Sequence, residues 1–463
     1  MTAMPTQPNR PSPQIRHRSR ATGTKWLAFG VTFILLAAAM GGGWFVYQES
    51  KASQEFERLI RPIRASGQPL GDAWMEQQFL ARTHKEGSAE WSEILFLASN
   101  FGWSSMSYLP YLGEAEPVEI LNPEQAWEAN ERAGAFLAEA RPIFDKISAA
   151  DRFPRPVWQP LHFDGFITLL EPLQTSRQVV RLLNLDFDHA IMNRDLPRAL
   201  QALDSMQITA EAFDWDAFMV GKLVDIALRG MHLSAIQRSL QSELWSVEQL
   251  DQLMSRIDEP CDISHDWIKA WDSERAMALS ILEGNDLSEL GIGVAMSSSP
   301  QVKLKLMEMY AQLQALADAP AGQLSQRAKI WESQQTVYNP LFSLLMPAAK
   351  GIAEALERGE RSRRMVYTSL AIKKYQMLHG TWPADLNALQ AIGLKPDDWT
   401  LPALGPLGYS VEKNEGREAA YVWGISGIHS QSADGNVWRV PSERPRAKDG
   451  EPDAISYYVT TIW

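Results

Sequence analysis

The residues able to do chemistry are scattered along this chain. Seven histidines lie beyond residue 47, and their polar pairs are His265-Asp266, Asp188-His189 and His162 near Asp164. A zinc-binding helix needs histidines at i and i+4, so that both imidazoles share a face, with a glutamate between them to work on bound water. None of these pairs has that spacing. Each is expected to be a hydrogen-bonded structural or surface histidine. Asp186, Asp188 and Asp195 flank one turn, and Asp214 and Asp216 flank Trp215. Helical residues at i and i+2 point to different faces, so neither pair converges on its own. Carboxylates can still meet across helices, about 5–10 Å apart, as glycoside hydrolysis requires.

Other nucleophile patterns fail on geometry. Gly424-Ile425-Ser426-Gly427 lacks the final spacing of a nucleophile elbow. Ser410-Val411-Glu412-Lys413 matches Ser-x-x-Lys, but on a strand those two side chains face opposite ways, which prevents proton transfer. Cys261 is the only cysteine, so no intrachain disulfide forms. It sits in Glu259-Pro260-Cys261-Asp262, where the acids raise its pKa, and an inert thiol is expected. There is no phosphate loop and no dinucleotide fingerprint. No catalytic, metal-binding or cofactor-binding residue is assigned, and no cofactor is implied. Arg358, Arg361, Arg363 and Arg364 read as a solvated helix face that could dock on an acidic surface.

The elements that must hold these residues are mostly helices. Glu55–Arg64, Asp72–Arg82 and Ala89–Phe101 come first, then a helix opened by Asn122 as cap, Pro123 and Gln125, running to Ile147. Ile167–Met192 and Leu196–Phe213 form a hairpin of tetratricopeptide-like size around Asn193-Arg194-Asp195, with Asp195 as N-cap. No sustained 34-residue period accompanies it. Further helices cover Trp215–Leu240, a capping-box helix from Ser246 to Ile257, Ser264–Leu282, and one from Ser299-Pro300 to Ala317. Gly284–Ser298 reads as a mobile loop, and Asn339-Pro340 opens a helix that Pro347 kinks. The last hundred residues change character. A basic helix, Arg358–Leu378, ends at His379-Gly380, a short helix follows Pro383, and strands follow at Leu407–Val411, Ala420–Trp423 and Ile455–Val459.

Before all of this stands Trp26–Tyr47, 22 residues without a charge. As a helix it is roughly 33 Å long, enough to cross a bilayer core, with Trp26, Trp44 and Tyr47 at its ends. Residues 1–25 carry five basic residues and no acid. Taking +5 from the net charge of −12 leaves −17 on the remainder. Basic flanks stay cytoplasmic, so residues 48–463 are expected outside, which in a bacterium is the periplasm. Ala37-Ala38-Ala39 offers a signal-peptidase-like site, but the apolar run continues to Tyr47, which favours an uncleaved anchor. The acidic body argues against nucleic acid. The 17 tryptophans read as core anchors.

Ser369–Leu389 resembles the segment leading into the head of type II secretion pseudopilins, through Tyr375, Gly380, Trp382, Pro383, Leu386 and Leu389. Pro406-Leu407-Gly408-Tyr409 and Tyr421-Val422-Trp423-Gly424 resemble the strands that follow there. Heads of that family often bind calcium in an acidic loop. Asp434 and Asp453 are the nearest match here, without the dense acidic pattern, so no metal is assigned. Over most of residues 55–463 the chain is similar to a group of membrane-anchored bacterial proteins with no established activity, in which a large helical region precedes such a head. Arg181–Ile226, with Arg198-Ala199-Leu200 and Lys222-Leu223-Val224, and Ser273-Glu274-Arg275 fit that pattern.

The expected fold is mainly α. It comprises a disordered cytoplasmic tail (1–25), a transmembrane helix (26–47), a solenoid-like or irregular helical region (48–355) and a small α+β pseudopilin-like head (356–463) with antiparallel strands. The expected function is a periplasmic binding or scaffold protein of the inner membrane, in contact with the bilayer through residues 26–47 and with a protein partner in the envelope. An envelope-polymer hydrolase and an accessory component of a secretion or pilus-like system are the alternatives.

Overall fold

The computed structural model of the protein describes residues 21–68, 70–102, 108–113, 121, 123, 127–155, 157, 171–212, 219–240, 242–283, 299–335, 349–414, 417–428 and 455–462. Among the described residues the chain is mainly helical, with a small antiparallel sheet at its C-terminal end. The helices are α1 (Ala21–Ser66), α2 (Asp72–Arg82), α3 (Lys85–Ser99), α4 (Asn130–Ala150), α5 (Glu171–Met192), α6 (Leu196–Ala212) and α7 (Met219–Ser239), then α8 (Val247–Arg256), α9 (Ile263–Glu283), α10 (Pro300–Ala315), α11 (Leu324–Gln334) and α12 (Ala349–His379).

Local chemistry explains several boundaries. In α8, Ser246 Oγ accepts the Gln249 N–H, and Gln249 Oε1 accepts the Ser246 N–H, the reciprocal cap read from the sequence. Ser299 caps α10 by accepting the Val302 N–H, and Pro300 occupies the first turn. The α5–α6 hairpin turns at Asn193-Arg194, where Arg194 takes φ 57°, and Asp195 Oδ1 accepts the Arg198 N–H at 3.2 Å. α5 is buried on nearly every side from Val179 to Ile191, as a central helix must be.

One helix start is corrected. The expected beginning at Asn122-Pro123 is not seen. Pro123 lies in a turn, and α4 begins at Asn130 without a side-chain cap. Just before it, Trp127 is partly buried against the core, with its ring 6.5 Å from that of His189, a contact that holds the chain ahead of α4. The Gly284–Ser298 loop, the Asn339-Pro340 helix start, Asp214 and Asp216, His162, Asp164, and the Asp434 and Asp453 pair lie outside the described residues.

Two apolar cores meet along α12. The larger draws on α2 to α8 and on the C-terminal sheet. The second joins Phe56 and Ile60 of α1 to α9, α10 and α11. Ala349, Ile352, Ala353 and Leu356 of α12 belong to the second core, and Met365, Val366, Leu370, Ala371 and Ile372 to the first. The 355/356 boundary therefore falls inside one uninterrupted 31-residue helix. The sheet has the order β3 (Gly408–Asn414), β4 (Arg417–Ile428), β5 (Ile455–Ile462), preceded by a β1–β2 ribbon (Thr400–Leu401 with Gly405–Pro406). α12 lies on β4, with Ala420 and Val422 facing it, and Ala419, Tyr421 and Trp423 cluster on the other face, as the period of two requires.

α1 is a single helix whose side chains are described from Ala39 onward. Ala52, Phe56 and Ile60 are buried, whereas Met40, Trp44, Phe45, Val46 and Tyr47 are all exposed. Among the described residues, no helix is long and apolar enough to cross a membrane. Most side chains of the 26–47 stretch lie outside the described set.

Candidate binding cleft

A cleft of about 610 Å³ opens where the helical body meets the C-terminal head. Three regions far apart in sequence line it. The link between α7 and α8 contributes Glu243 and Trp245. The end of α12 and the turn after it contribute Lys373, Gln376, Met377, Gly380, Thr381 and Trp382, and β4 contributes Glu418. Lys373, Gln376 and Met377 stand at i, i+3 and i+4, so they share one helix face.

Each wall is held locally. Trp245 is buried, and its Nε1 donates to Ser239 Oγ at 3.1 Å and to the Ser239 carbonyl at 3.3 Å, so the indole orientation is fixed. Gly380 takes φ 71° and donates its N–H to the Gln376 carbonyl at 2.8 Å, which ends α12 as its sequence position implied. The next segment is held by Tyr409 of β3, whose hydroxyl donates to the Pro383 carbonyl at 2.9 Å. The following 3-10 turn, Leu386–Ile392, is capped by Asp385 rather than opened by Pro383, because the Asp385 carboxylate accepts the Asn387 and Ala388 N–H groups. Lys374 Nζ, beside the cleft residue Lys373, reaches Asp251 Oδ1 of α8 at 2.5 Å and ties α12 to the body.

The electrostatics of the cleft centre on Lys373. It is 6% exposed, and its ammonium lies 6.0 Å from the centroid of the half-buried Trp382 ring. Burial holds its pKa below the ordinary lysine value, and the Glu243 charge opposes that shift. Glu243 and Glu418 are exposed. One buried ammonium and two exposed carboxylates thus surround two indoles and a methionine. Sequence reasoning found Trp382 and Gly380 as marks of the head's topology, not as a site. The missed signal was Lys373, a lysine that follows the buried run Thr368–Ile372 on α12.

Compared with protein-family models, curated proteins and solved structures, the chain matches none of them.

The other candidate residues are held in structural networks. Asp188 is fully buried, accepting Arg238 Nη2 at 2.7 Å and the Tyr111 hydroxyl at 2.6 Å. Burial, then the Asp188 charge, push the Tyr111 phenol far up, so it remains an O–H donor. Asp186, also buried, takes the Arg198 guanidinium from α6. The i and i+2 acids therefore diverge, as helix geometry requires. Asp195 is exposed and serves as the α6 cap. His265 is exposed, and burial lowers the pKa of the partly buried His189. Cys261 is pushed up to about 11, first by burial and then by the Glu360 charge, not by the adjoining Glu259 and Asp262. Ser410 Oγ donates to Glu412 Oε1 at 3.1 Å. Among the described residues, no group of three or more His, Cys, Asp or Glu is placed to hold a metal ion.

The basic run of α12 is corrected. Only Arg358 is exposed. Arg363 is buried, pairs with Glu360, and donates to the Ile257 and Asp258 carbonyls at 2.9 and 3.2 Å. Arg364 pairs with Glu360 and donates to the Thr400 carbonyl at 2.7 Å, and Arg361 reaches Glu357 at 3.7 Å. The carboxylates one turn away and the carbonyls of adjoining elements draw these guanidinium groups inward. One further acid stands apart. Glu274 is buried in the second core, accepts the Met219 N–H at 3.2 Å, and is pushed up to about 7 by that burial. It does not line the cleft.

Proposed function

We propose that the protein is a membrane-anchored extracytoplasmic binding protein whose ligand seats in the cleft between the helical body and the C-terminal head. The observation that carries this reading is the cleft itself. Its volume lies within the roughly 300–1,000 Å³ typical of ligand sites, and its lining sets charged and polar side chains beside two indoles and a methionine. The alternative of an envelope-polymer hydrolase draws no support from Asp186 and Asp188, each of which is held by its own arginine.

The anchor belongs to the same proposal. The exposed Met40, Trp44, Phe45, Val46 and Tyr47 continue the uncharged 26–47 stretch on one unbroken helix. The buried Ala52 lies only five positions, roughly 7.5 Å of helix, beyond Tyr47. Both facts support a body seated directly on the bilayer. The αL stop at Gly380, the Tyr409 contact to Pro383 and the three antiparallel strands support the likeness of the head to pseudopilin heads. A protein partner in the envelope is part of this reading.

Two measurements test it. An envelope extract is expected to raise the thermal midpoint of the full-length chain but not that of Trp382→Ala. Equal midpoints with and without extract would overturn the binding reading. Protease added to spheroplasts is expected to remove a C-terminal tag from membrane-pelleted protein. A tag protected by the intact inner membrane would overturn the topology.

A further inference from the structure

We infer that the cleft takes a neutral, polyhydroxylated ligand, a short saccharide segment laid against the Trp382 ring. This rests on the binding reading above and names its ligand class. The charge pattern comes first. The lining carries both signs, the Lys373 ammonium beside Trp382 and the Glu243 and Glu418 carboxylates, so it selects no single charge. An uncharged ligand that both donates and accepts finds partners on every side. Each sugar hydroxyl offers one donor and two acceptor positions. The lining offers the Lys373 ammonium as donor, the Glu243 and Glu418 carboxylates as acceptors, and Gln376 and Thr381 as both.

The aromatic walls point the same way. Trp245 is buried with its N–H bonded to Ser239, so it backs the cleft and offers no donor. Trp382 is only half-buried, which leaves indole surface for the apolar C–H face of a pyranose ring. A peptide is the competing occupant. The cleft touches the sheet at Glu418, which is paired with Lys413 of β3, whereas the pairing of β4 with β5 begins at Ala420. The test below therefore sets the two ligand classes against each other.

The test uses the full-length chain in phospholipid nanodiscs, titrated calorimetrically with cellotriose, chitotriose and maltotriose, and separately with a pool of blocked pentapeptides. At least one trisaccharide is expected to bind. Trp382→Ala should weaken it at least tenfold, Trp382→Phe should restore most of the affinity, and Glu243→Gln should weaken it with an unchanged thermal midpoint. Binding of the pentapeptides alone, lost in Trp382→Ala, would overturn the saccharide assignment and leave the binding cleft standing. No binding by any probe, together with no stabilisation by envelope extract, would overturn both.

Discussion

Arg238 Nη2 donates to Asp188 Oδ1 at 2.7 Å, joining α7 to α5 through the interior of the helical body. The guanidinium also lies 5.4 Å from the centroid of the Tyr111 ring, and the Tyr111 hydroxyl takes the other Asp188 oxygen. Removing one partner of a buried pair leaves the other charge without compensation. Asp188→Ala is therefore expected to cost about 3–5 kcal/mol in urea unfolding. Replacing both charges, as Asp188→Leu with Arg238→Met, should recover most of that loss, because neither desolvation penalty remains. A double variant no more stable than Asp188→Ala would show that the pair contributes more than charge compensation.

Glu274 gives the folded chain a stability that falls with rising pH. Its carboxyl is pushed up to about 7 by burial, from an ordinary value of 4.5. Below 4.5 both folded and unfolded states carry the proton. Between 4.5 and 7 the unfolded state ionises first and gains the advantage. Above 7 the loss is complete and amounts to about 3 kcal/mol. Urea midpoints measured at pH 5 and pH 8 should show this slope, and Glu274→Gln should abolish it and be the more stable form at pH 8. An unchanged slope in Glu274→Gln would assign it to other groups.

The elements were legible where the signal was local. The Ser246–Gln249 box, the Asp195 cap, Gly380 and the alternation in β3 and β4 are decided within a few residues of sequence. The α4 start was not, because the Pro123 signal is local, whereas the contact of Trp127 with His189 of α5 that holds the chain ahead of α4 joins residues far apart in sequence. The inward turn of Arg363 was not either. Charge alone places an arginine at the surface, and only its partners, Glu360 and two carbonyls near the end of α8, can bury it. The cleft was the least legible feature. Glu243, Lys373 and Glu418 are unremarkable singly, and they become neighbours only when α12 is laid between the body and β4.

Gly408 and Trp423 are cross-strand partners, and the indole covers the place where a side chain would stand. A Cβ on Gly408 would lie 1.9 Å from Trp423 Cε2, inside any allowed contact. Trp423 is buried and has no free volume to retreat into. Gly408→Ala is thus expected to destabilise the head by on the order of 3 kcal/mol. Gly393→Ala serves as the control. That site has a positive φ of 96°, which Gly408 lacks, and no neighbour within 4 Å, so it reports backbone strain alone, about 1 kcal/mol. A Gly408→Ala variant as stable as the native chain would mean that the Trp423 contact carries no weight.

Glu360 is the joint between body and head. Its carboxylate binds Arg363 through Nε and Nη2 at 2.8 and 2.9 Å, Arg364 through Nε at 2.7 Å, and the Cys261 N–H at 3.1 Å. Arg363 then holds the Ile257 and Asp258 carbonyls of the body, and Arg364 holds the Thr400 carbonyl of the head. Burial raises the Glu360 pKa, but these partners outweigh it and hold it below the ordinary 4.5. Its contribution is accordingly full above 4.5 and lost as pH falls through the lower folded value. Glu360→Ala removes one member of a buried ionic network and should cost about 3–5 kcal/mol at pH 7, with a smaller penalty in acid, where the native carboxylate is protonated. Because the arginines it orients bridge the two regions that wall the cleft, amide exchange should rise first at Thr400–Pro406 and at Gly380–Leu389, before the α5 core loses protection. Exchange that rises uniformly across the chain would mean that Glu360 stabilises the whole fold rather than this joint.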